Sequence, residues 1–204
     1  MDVFTNTYQK ALEIYQKNPK WKLFESYLFK MSIGLRKEAL KDLRELLLQY
    51  QNWNAIKKSD FILSVICISH EVDPSRNFFL SHPLLTVVNN YMEEWIKTES
   101  KNSLPFRWLA QEKGDLELAR KALSINSKDD LARLVIINSY LDKIWWSTHS
   151  LPSHFNGDVD EIRAIYPVCL HEIELLVDAE IQLKFRDELE EEIQVVNDFQ
   201  KSQK

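Results

Sequence analysis

The sequence contains only three glycines, Gly34, Gly114 and Gly157, among its 204 residues. Glycine-rich phosphate loops and the tight turns of β-hairpins both depend on glycine, because it adopts positive φ angles at no steric cost. With so few glycines, the chain cannot contain many structures of either kind. Each glycine also falls between two segments with helical periodicity, which favours helices joined by short connections.

Cysteine is also scarce. Its two copies, Cys67 and Cys169, both lie in apolar segments. Because free cysteine commonly behaves as a small buried hydrophobe, we interpret both as reduced core residues and not as a disulfide pair. No apolar run approaches the roughly eighteen residues that cross a bilayer. The amphipathic N-terminus contains Asp2 and no small-residue cleavage site, unlike a secretory signal. We therefore expect a cytoplasmic protein that does not bind membranes.

Recognisable catalytic motifs are also missing from the sequence. No serine stands in the G-x-S-x-G context of a nucleophile elbow. Ser69, His70 and Glu71 are consecutive, so on a helix they point in different directions and cannot form a catalytic relay. Paired glutamates such as Glu93 and Glu94 are more typical of a solvated helix face than of an acid–base pair. An enzyme is therefore not the leading interpretation, and we expect no cofactor.

What the sequence does contain is helical periodicity, with apolar residues recurring at steps of three and four. Two such stripes are Phe4, Tyr8, Ala11, Leu12 and Tyr15 near the N-terminus, and Ile181, Phe185, Leu189, Ile193 and Val196 in the last predicted helix. Residues 61–70 are rich in β-branched side chains that would suit a strand, but no partner strand lies nearby, and we predict a helix. About ten helices are expected in a single domain over residues 1–204. The helices with the best-defined expected bounds cover residues 20–32, 35–50, 83–98, 116–125 and 179–200. The predicted fold class is all-α.

Capping residues and prolines set the expected helix boundaries. Pro83 and Pro105 are expected in first turns, residues 74–80 in a loop, and Pro167 at a point where its helix is kinked or divided. The expected caps are Gly34 at a C-terminus, Ser59 or Asp60 before the fourth helix, and two capping boxes, Ser127 with Asp130 and Asp158 with Glu161.

A weak internal repeat links two helical hairpins. The pattern Gly34-x4-Ala39-x-Lys41-x-Leu43 is echoed by Gly114-x4-Ala119-x-Lys121-x-Leu123, and each copy follows an aromatic-rich helix. The pattern resembles the turn and following alanine of tetratricopeptide repeats, in which glycine allows the turn and alanine lets two helices approach closely. The resemblance covers about a third of the chain. It implies stacked antiparallel hairpins, either as a degenerate tetratricopeptide-like array or as an irregular helical bundle.

The segment 131–158 combines an apolar helix with an unusual exit loop. Its expected inner stripe is Leu131, Leu134, Val135, Asn138, Leu141 and Trp145. Trp145 and Trp146 lie about 100° apart on a helix, so both cannot enter the same core pocket. One indole is expected in the core, and the sequence leaves open which one is exposed. Tryptophan and tyrosine dominate energetic hot spots at protein interfaces, so the Trp146 side is a candidate contact surface.

Histidines and acids in the exit loop raise the alternative of a metal site. His149, His154 and Asp158 follow the tryptophans, with Asp160 and His171 further on. Histidine and carboxylate ligands suit zinc and other transition metals. However, Pro152 separates the two histidines, which therefore do not share one face of a helix. We interpret the histidines as helix caps and predict no metal.

Charge is unevenly distributed along the sequence. Basic residues outnumber acidic ones up to Lys58, whereas acidic residues dominate beyond Gly157, within a net charge of −5. The acids include the run Glu188, Glu191 and Glu192 on the last predicted helix. This polarity favours a basic protein partner. Nucleic acid is not expected, because the N-terminal basic residues are interspersed with acids.

These observations predict a non-catalytic protein-binding module, such as an immunity-type inhibitor of a basic toxin. The expected contact residues are Trp146, His149, His154, Phe155, Glu188, Glu191 and Glu192. One alternative is a metal-dependent or small-molecule enzyme built around His149, His154 and Asp158. A second is a structural subunit that associates with copies of itself. The partner and the oligomeric state are left open by the sequence.

Overall fold

The protein is all-α. The computed structural model describes residues 3–72, 80–98, 101–151 and 153–202, with the side chains of residues 3–5 excepted. These residues form ten α-helices and no β-strand. They divide into two compact units, Met1–Glu94 and Trp95–Lys204, and the single domain expected from the sequence stays a prediction. Among the described helices, none is both long enough and apolar enough to cross a membrane.

The first unit contains the helices α1 to α4 and most of α5. Their bounds are α1 Val3–Gln16, α2 Lys22–Ser32, α3 Arg36–Gln51, α4 Ala55–Val72 and α5 His82–Thr98. The predicted stripe of α1 is confirmed where its side chains are described, since Tyr8, Ala11, Leu12 and Tyr15 are all buried. The stripe's first member, Phe4, lies outside the described side chains. The loop expected near residues 74–80 also falls almost entirely outside the described residues.

The first of the two repeated glycines ends α2 as predicted. Gly34 has φ +79°. Its N–H donates to the carbonyl of Met31, and the Leu35 N–H donates to the carbonyl of Lys30. This pair of bonds is the Schellman motif, which requires a left-handed residue and therefore favours glycine. Gly114, with φ +62°, ends the other repeated hairpin, and Ala39 and Ala119 are both fully buried. The tetratricopeptide resemblance itself stays a prediction.

The prediction that residues 61–70 form a helix is confirmed, but the expected start of that helix is wrong. α4 begins at Ala55, one turn before Ser59 and Asp60. The Asn54 side chain accepts a hydrogen bond from the Lys57 N–H at 2.9 Å and acts as the cap. The sequence does not single out Asn54, because none of residues 55–60 is buried and the apolar periodicity begins only at Phe61.

The second unit is built around α8. Its helices are α6 Ser103–Lys113, α7 Leu116–Ile125, α8 Asp130–Thr148, α9 Val159–Glu174 and α10 Ala179–Ser202. One face of α8 contributes Ile137, Leu141 and Ile144 to a core shared with α9 and α10. Another face contributes Ala132 and Ile136 to clusters shared with α6 and α7. α8 is therefore packed on two sides.

The predicted inner stripe of α8 is only partly confirmed. Leu141 is buried, and Leu134 and Val135 are partly buried against the two sides of the core. Asn138 and Trp145 are exposed, so their placement in the stripe is wrong. The most deeply buried apolar residues are instead Ala132, Ile136, Ile137 and Ile144. The error arises because α8 is apolar on most sides, so periodicity cannot select the buried face.

The predicted stripe of α10 is confirmed. Leu189 and Val196 are buried in the core shared with α9, and Ile181, Phe185 and Ile193 pack against it. The opposite face of this helix carries its acidic residues, so the apolar stripe has only one direction in which it can be buried.

A buried network of charged groups fixes the N-terminal end of α8. Asp129 is the N-cap, and its carboxylate accepts hydrogen bonds from the Ala132 N–H, the Arg107 guanidinium at 3.3 Å and the Ser103 hydroxyl at 3.2 Å. Arg133, which is also buried, pairs with Glu172 on α9. The predicted capping box of Ser127 with Asp130 is therefore wrong by two residues.

The Asp130 carboxylate serves a different segment of the chain. It accepts hydrogen bonds at 3.0 Å from the backbone N–H groups of Val177 and Asp178, immediately before α10. Asp178 in turn caps α10 through the Glu180 and Ile181 N–H groups. The start of α8 therefore positions the start of α10.

The start of α9 partly matches its prediction. Asp158 is the N-cap and accepts a hydrogen bond from the Asp160 N–H at 2.8 Å, as expected. Glu161 does not complete a capping box, because its carboxylate accepts a hydrogen bond from Lys143 of α8. Pro167 lies inside α9 without dividing it.

The two cysteines differ, although the sequence predicted both in the core. Cys169 is fully buried, whereas Cys67 is exposed, and both are free thiols. Burial, with smaller contributions from the charges of Glu172 and Glu188, raises the pKa of the Cys169 thiol to about 12. α4 buries its other sides through Phe61, Val65 and Ile68, which leaves Cys67 facing solvent.

A thiol titration should separate the two cysteines. Because the thiolate is the reacting species, we expect Cys67 to react rapidly with Ellman's reagent at pH 8 and Cys169 to react only after denaturation. The Cys67→Ser variant should lose the rapid phase entirely. Two rapidly reacting thiols in the native protein would contradict the burial of Cys169.

Candidate protein-binding surface

The C-terminal end of α8 presents two tryptophans to solvent. Trp145 is 55% exposed and Trp146 is 56% exposed. The prediction that one of them is a core residue is therefore wrong. Ile144 and Thr148 occupy the buried positions of this turn, because the helix meets its neighbours through those side chains. Two large apolar side chains remain adjacent and uncovered.

His149 holds the two indoles in place. Its ring stacks on Trp145, with 5.0 Å between ring centroids and 20° between ring planes, and lies 6.4 Å from the Trp146 ring. His149 Nδ1 lies 2.6 Å from the Trp146 carbonyl oxygen, which can only accept, so Nδ1 carries the proton. Nε2 lies 3.3 Å from the Ser150 hydroxyl oxygen, within hydrogen-bond distance. The expected capping role of His149 is confirmed, since it is the C-cap of α8.

The loop after α8 folds back onto the end of that helix. The Asn156 side chain donates to the Trp146 carbonyl at 3.0 Å, and the Asn156 N–H donates to the Ser147 carbonyl at 2.9 Å. Gly157 then adopts φ +103°, a conformation that favours glycine. His154 is exposed within this loop.

Phe155 and Glu192 connect this loop and helix end to α10. Phe155 stacks on Phe199, with 5.3 Å between centroids and 14° between planes. The Thr148 hydroxyl donates to the Glu192 carboxylate at 3.2 Å. These contacts bring the C-terminal half of α10 to the turn of α8 that carries the tryptophans. We call Trp145, Trp146, His149, Phe155, Glu192 and Phe199 the aromatic end of the second unit.

The acidic residues of α10 extend away from the aromatic end. Glu188 lies one helical turn before Glu192 and is exposed. Glu191 instead lines a shallow, solvent-facing depression together with Asp187, Glu190 and Gln194. The residues that line this depression include three carboxylates and no basic group. They give this part of α10 a negative surface.

The structure therefore brings together four of the seven predicted contact residues. Trp146, His149, Phe155 and Glu192 belong to the aromatic end, Glu188 is its neighbour along α10, and Glu191 faces outward. His154 shares the loop with Phe155.

Sequence reasoning missed two members of the aromatic end. Phe199 was not predicted, although the α10 stripe continues from Val196 to Phe199 at helical spacing. Trp145 was placed in the core stripe of α8, and its exposure depends on which face of that helix its neighbours cover.

The geometry does not favour the metal alternative. Both ring nitrogens of His149 have protein partners, and the Asp158 carboxylate caps α9. In the part of the chain that the structure describes, no group of three or more histidine, cysteine, aspartate or glutamate side chains is arranged to hold a metal ion. Pro152, between the two loop histidines, lies outside the described residues.

Neither the family models, nor the curated proteins, nor the solved structures contain a match to the chain. The fold defines the class, an all-α protein.

Proposed function

We propose that the chain is a non-catalytic protein-binding module that neutralises a basic partner, as bacterial immunity proteins neutralise cationic nuclease toxins. The observation that carries the proposal is the pair of indoles at the aromatic end, each more than half exposed and held by His149. Exposed large apolar side chains that lie next to each other are typical of an interaction site, and tryptophan is prominent among hot-spot residues. The proposed setting is the cytoplasm, where both thiols would stay reduced.

The acidic face of α10 supports the choice of a basic partner. Glu188, Glu191 and Glu192 lie close together on α10, and Glu192 also contacts Thr148 of α8, three residues after Trp145. A lysine or arginine of the partner can contact the face of an indole and pair with a nearby carboxylate at the same time. Negative charge spread over α10 would also accelerate the encounter with a cationic surface.

The test is affinity capture from lysate of the source organism, followed by measurement of the affinity of the captured protein. We expect the Trp145→Ala, Trp146→Ala double variant to weaken binding on the order of 1,000-fold, because two hot-spot tryptophans at about 2 kcal/mol each lose about 4 kcal/mol together. The matched control is Leu183→Ala, which removes a 60% exposed apolar side chain from another part of α10. Equal affinity of the double variant and the control would rule out the aromatic end.

The electrostatic part of the proposal has its own test. Neutralising Glu188, Glu191 and Glu192 to glutamine should slow association and reduce its dependence on salt. The control applies the same change in net charge to three exposed acids of the first unit, Glu13, Glu38 and Glu71. If the α10 variant binds as the control does, the partner is not recognised by charge.

The alternative of self-association gives a different result in the same experiments. If the captured protein is a second copy of the chain, and the double tryptophan variant sediments as a monomer, the surface is a self-association interface instead.

A further inference from the structure

A cavity in the first unit is lined by basic and aromatic side chains. It has a volume of about 330 Å³ and opens between the start of α2, the C-terminal half of α3 and the first turn of α4. The basic, amide and aromatic side chains in its lining are Lys20, Trp21, Lys22, Gln49, Trp53 and Lys57. This cavity shares no residue with the aromatic end, so its role is independent of the function proposed above.

Two of the three ammonium groups are held in position by other residues. Lys57 Nζ lies 4.3 Å from the centroid of the Trp53 ring. Lys20 Nζ lies 2.7 Å from an Asp60 carboxylate oxygen and 5.7 Å from the Trp21 ring centroid. The two indoles in turn stack on each other, with 6.1 Å between centroids. Pre-positioned ammonium groups lose less conformational entropy when a ligand binds.

The balance of charge around the cavity is positive. Glu45 lines the cavity and Asp60 pairs with Lys20, so two carboxylates face the ammonium groups of Lys20, Lys22 and Lys57. An ammonium has three N–H donors, and Lys20 uses one on Asp60, which leaves donors for a ligand. The Gln49 side-chain amide adds two further N–H donors to the same wall. The lining therefore offers many donors and an excess of one positive charge.

We propose that this cavity binds the phosphate group of a small organic phosphate. A phosphate has three or more acceptor oxygens, which match donors arriving from several directions better than the two oxygens of a carboxylate do. The cavity volume of about 330 Å³ lies near the lower end of the range of roughly 300–1,000 Å³ that is usual for small-molecule sites. A bare phosphate ion would not fill this space, so the indole side of the cavity accommodates the organic part of the ligand.

The experiment is a calorimetric titration of the full chain with AMP, with inorganic phosphate and with adenosine. We expect saturable binding of AMP, weaker binding of phosphate, and adenosine binding at least tenfold weaker than AMP. In ¹H–¹⁵N spectra, AMP should shift the indole N–H signals of Trp21 and Trp53, identified with Trp21→Phe and Trp53→Phe variants. Signals from the aromatic end should stay unchanged.

Variants distinguish a specific site from general attraction to charge. The Lys22→Gln, Lys57→Gln double variant should weaken AMP binding at least tenfold. The matched double control is Lys37→Gln with Lys121→Gln. Lys37 lies away from the cavity, since it stands eight residues before Glu45 on α3, a helix rise of about 12 Å. The proposal is overturned if AMP and adenosine bind equally, if neither AMP nor phosphate binds at 10 mM, or if the control loses as much affinity as the test variant. Circular dichroism melts verify that each variant is folded.

Discussion

Replacing Asp129 with alanine is expected to lower the free energy of unfolding of the second unit by about 3–5 kcal/mol. The Asp129 side chain is 3% exposed and pairs with Arg107, whose side chain is 17% exposed. The substitution leaves this guanidinium buried without its carboxylate and also removes the N-cap of α8. Urea denaturation followed by tryptophan fluorescence and circular dichroism measures the loss.

Two other substitutions separate the cap from the ion pair at Asp129. In the Asp129→Asn variant the side-chain amide oxygen still caps the helix but cannot neutralise Arg107, so most of the loss should remain. Asp115 caps α7 through the Glu117 and Leu118 N–H groups and has no such ion pair among the described contacts, so Asp115→Ala should cost about 1 kcal/mol. If Asp129→Ala costs no more than Asp115→Ala, the buried pair with Arg107 does not stabilise the fold.

Replacing Tyr15 with phenylalanine should destabilise the first unit by about 2–6 kcal/mol. The Tyr15 hydroxyl donates to the Trp21 carbonyl and accepts hydrogen bonds from the backbone N–H groups of Lys20 and Trp21. Phenylalanine fills the same space but leaves two N–H groups without this partner, at about 1–3 kcal/mol each. The Trp21 carbonyl keeps its bonds from Phe24 and Glu25.

The measurement for Tyr15→Phe is again urea denaturation, with Tyr166→Phe in the partly exposed part of α9 as the control. The control removes the same hydroxyl and should change the free energy of unfolding by less than about 1 kcal/mol. Because Tyr15 positions Lys20 and Trp21, the variant should also weaken AMP binding in the first unit. A Tyr15→Phe protein as stable as the control would show that water replaces the hydroxyl without cost.

The sequence predicted those helices whose apolar residues follow a single stripe. In α10, Ile181, Leu189 and Val196 recur at helical spacing beside a polar face, so only one orientation buries them. In α8 the run from Leu131 to Ile137 is apolar on most sides, and periodicity carries no information about which side is buried. Which face of α8 is buried depends on the helices that pack against it on two sides, and therefore on the tertiary structure.

The sequence predicts only the local part of the candidate surface. Trp146, His149 and Phe155 lie close in the sequence, so a shared location followed from local geometry. The contacts of Phe155 with Phe199 and of Thr148 with Glu192 join residues more than forty positions apart. Nothing in the local pattern specifies such pairs.

The two ends of α8 have different roles. Asp129, Asp130 and Arg133 anchor its start to three other segments, and buried isoleucines hold its middle, while the side chains at positions 145 and 146 project into solvent. Changes at the solvent end therefore leave the anchoring contacts intact. Under the proposed function, such a helix is a scaffold on which binding specificity can diverge, and a library randomised at positions 145, 146 and 154 should consist mostly of folded proteins that differ in their partners.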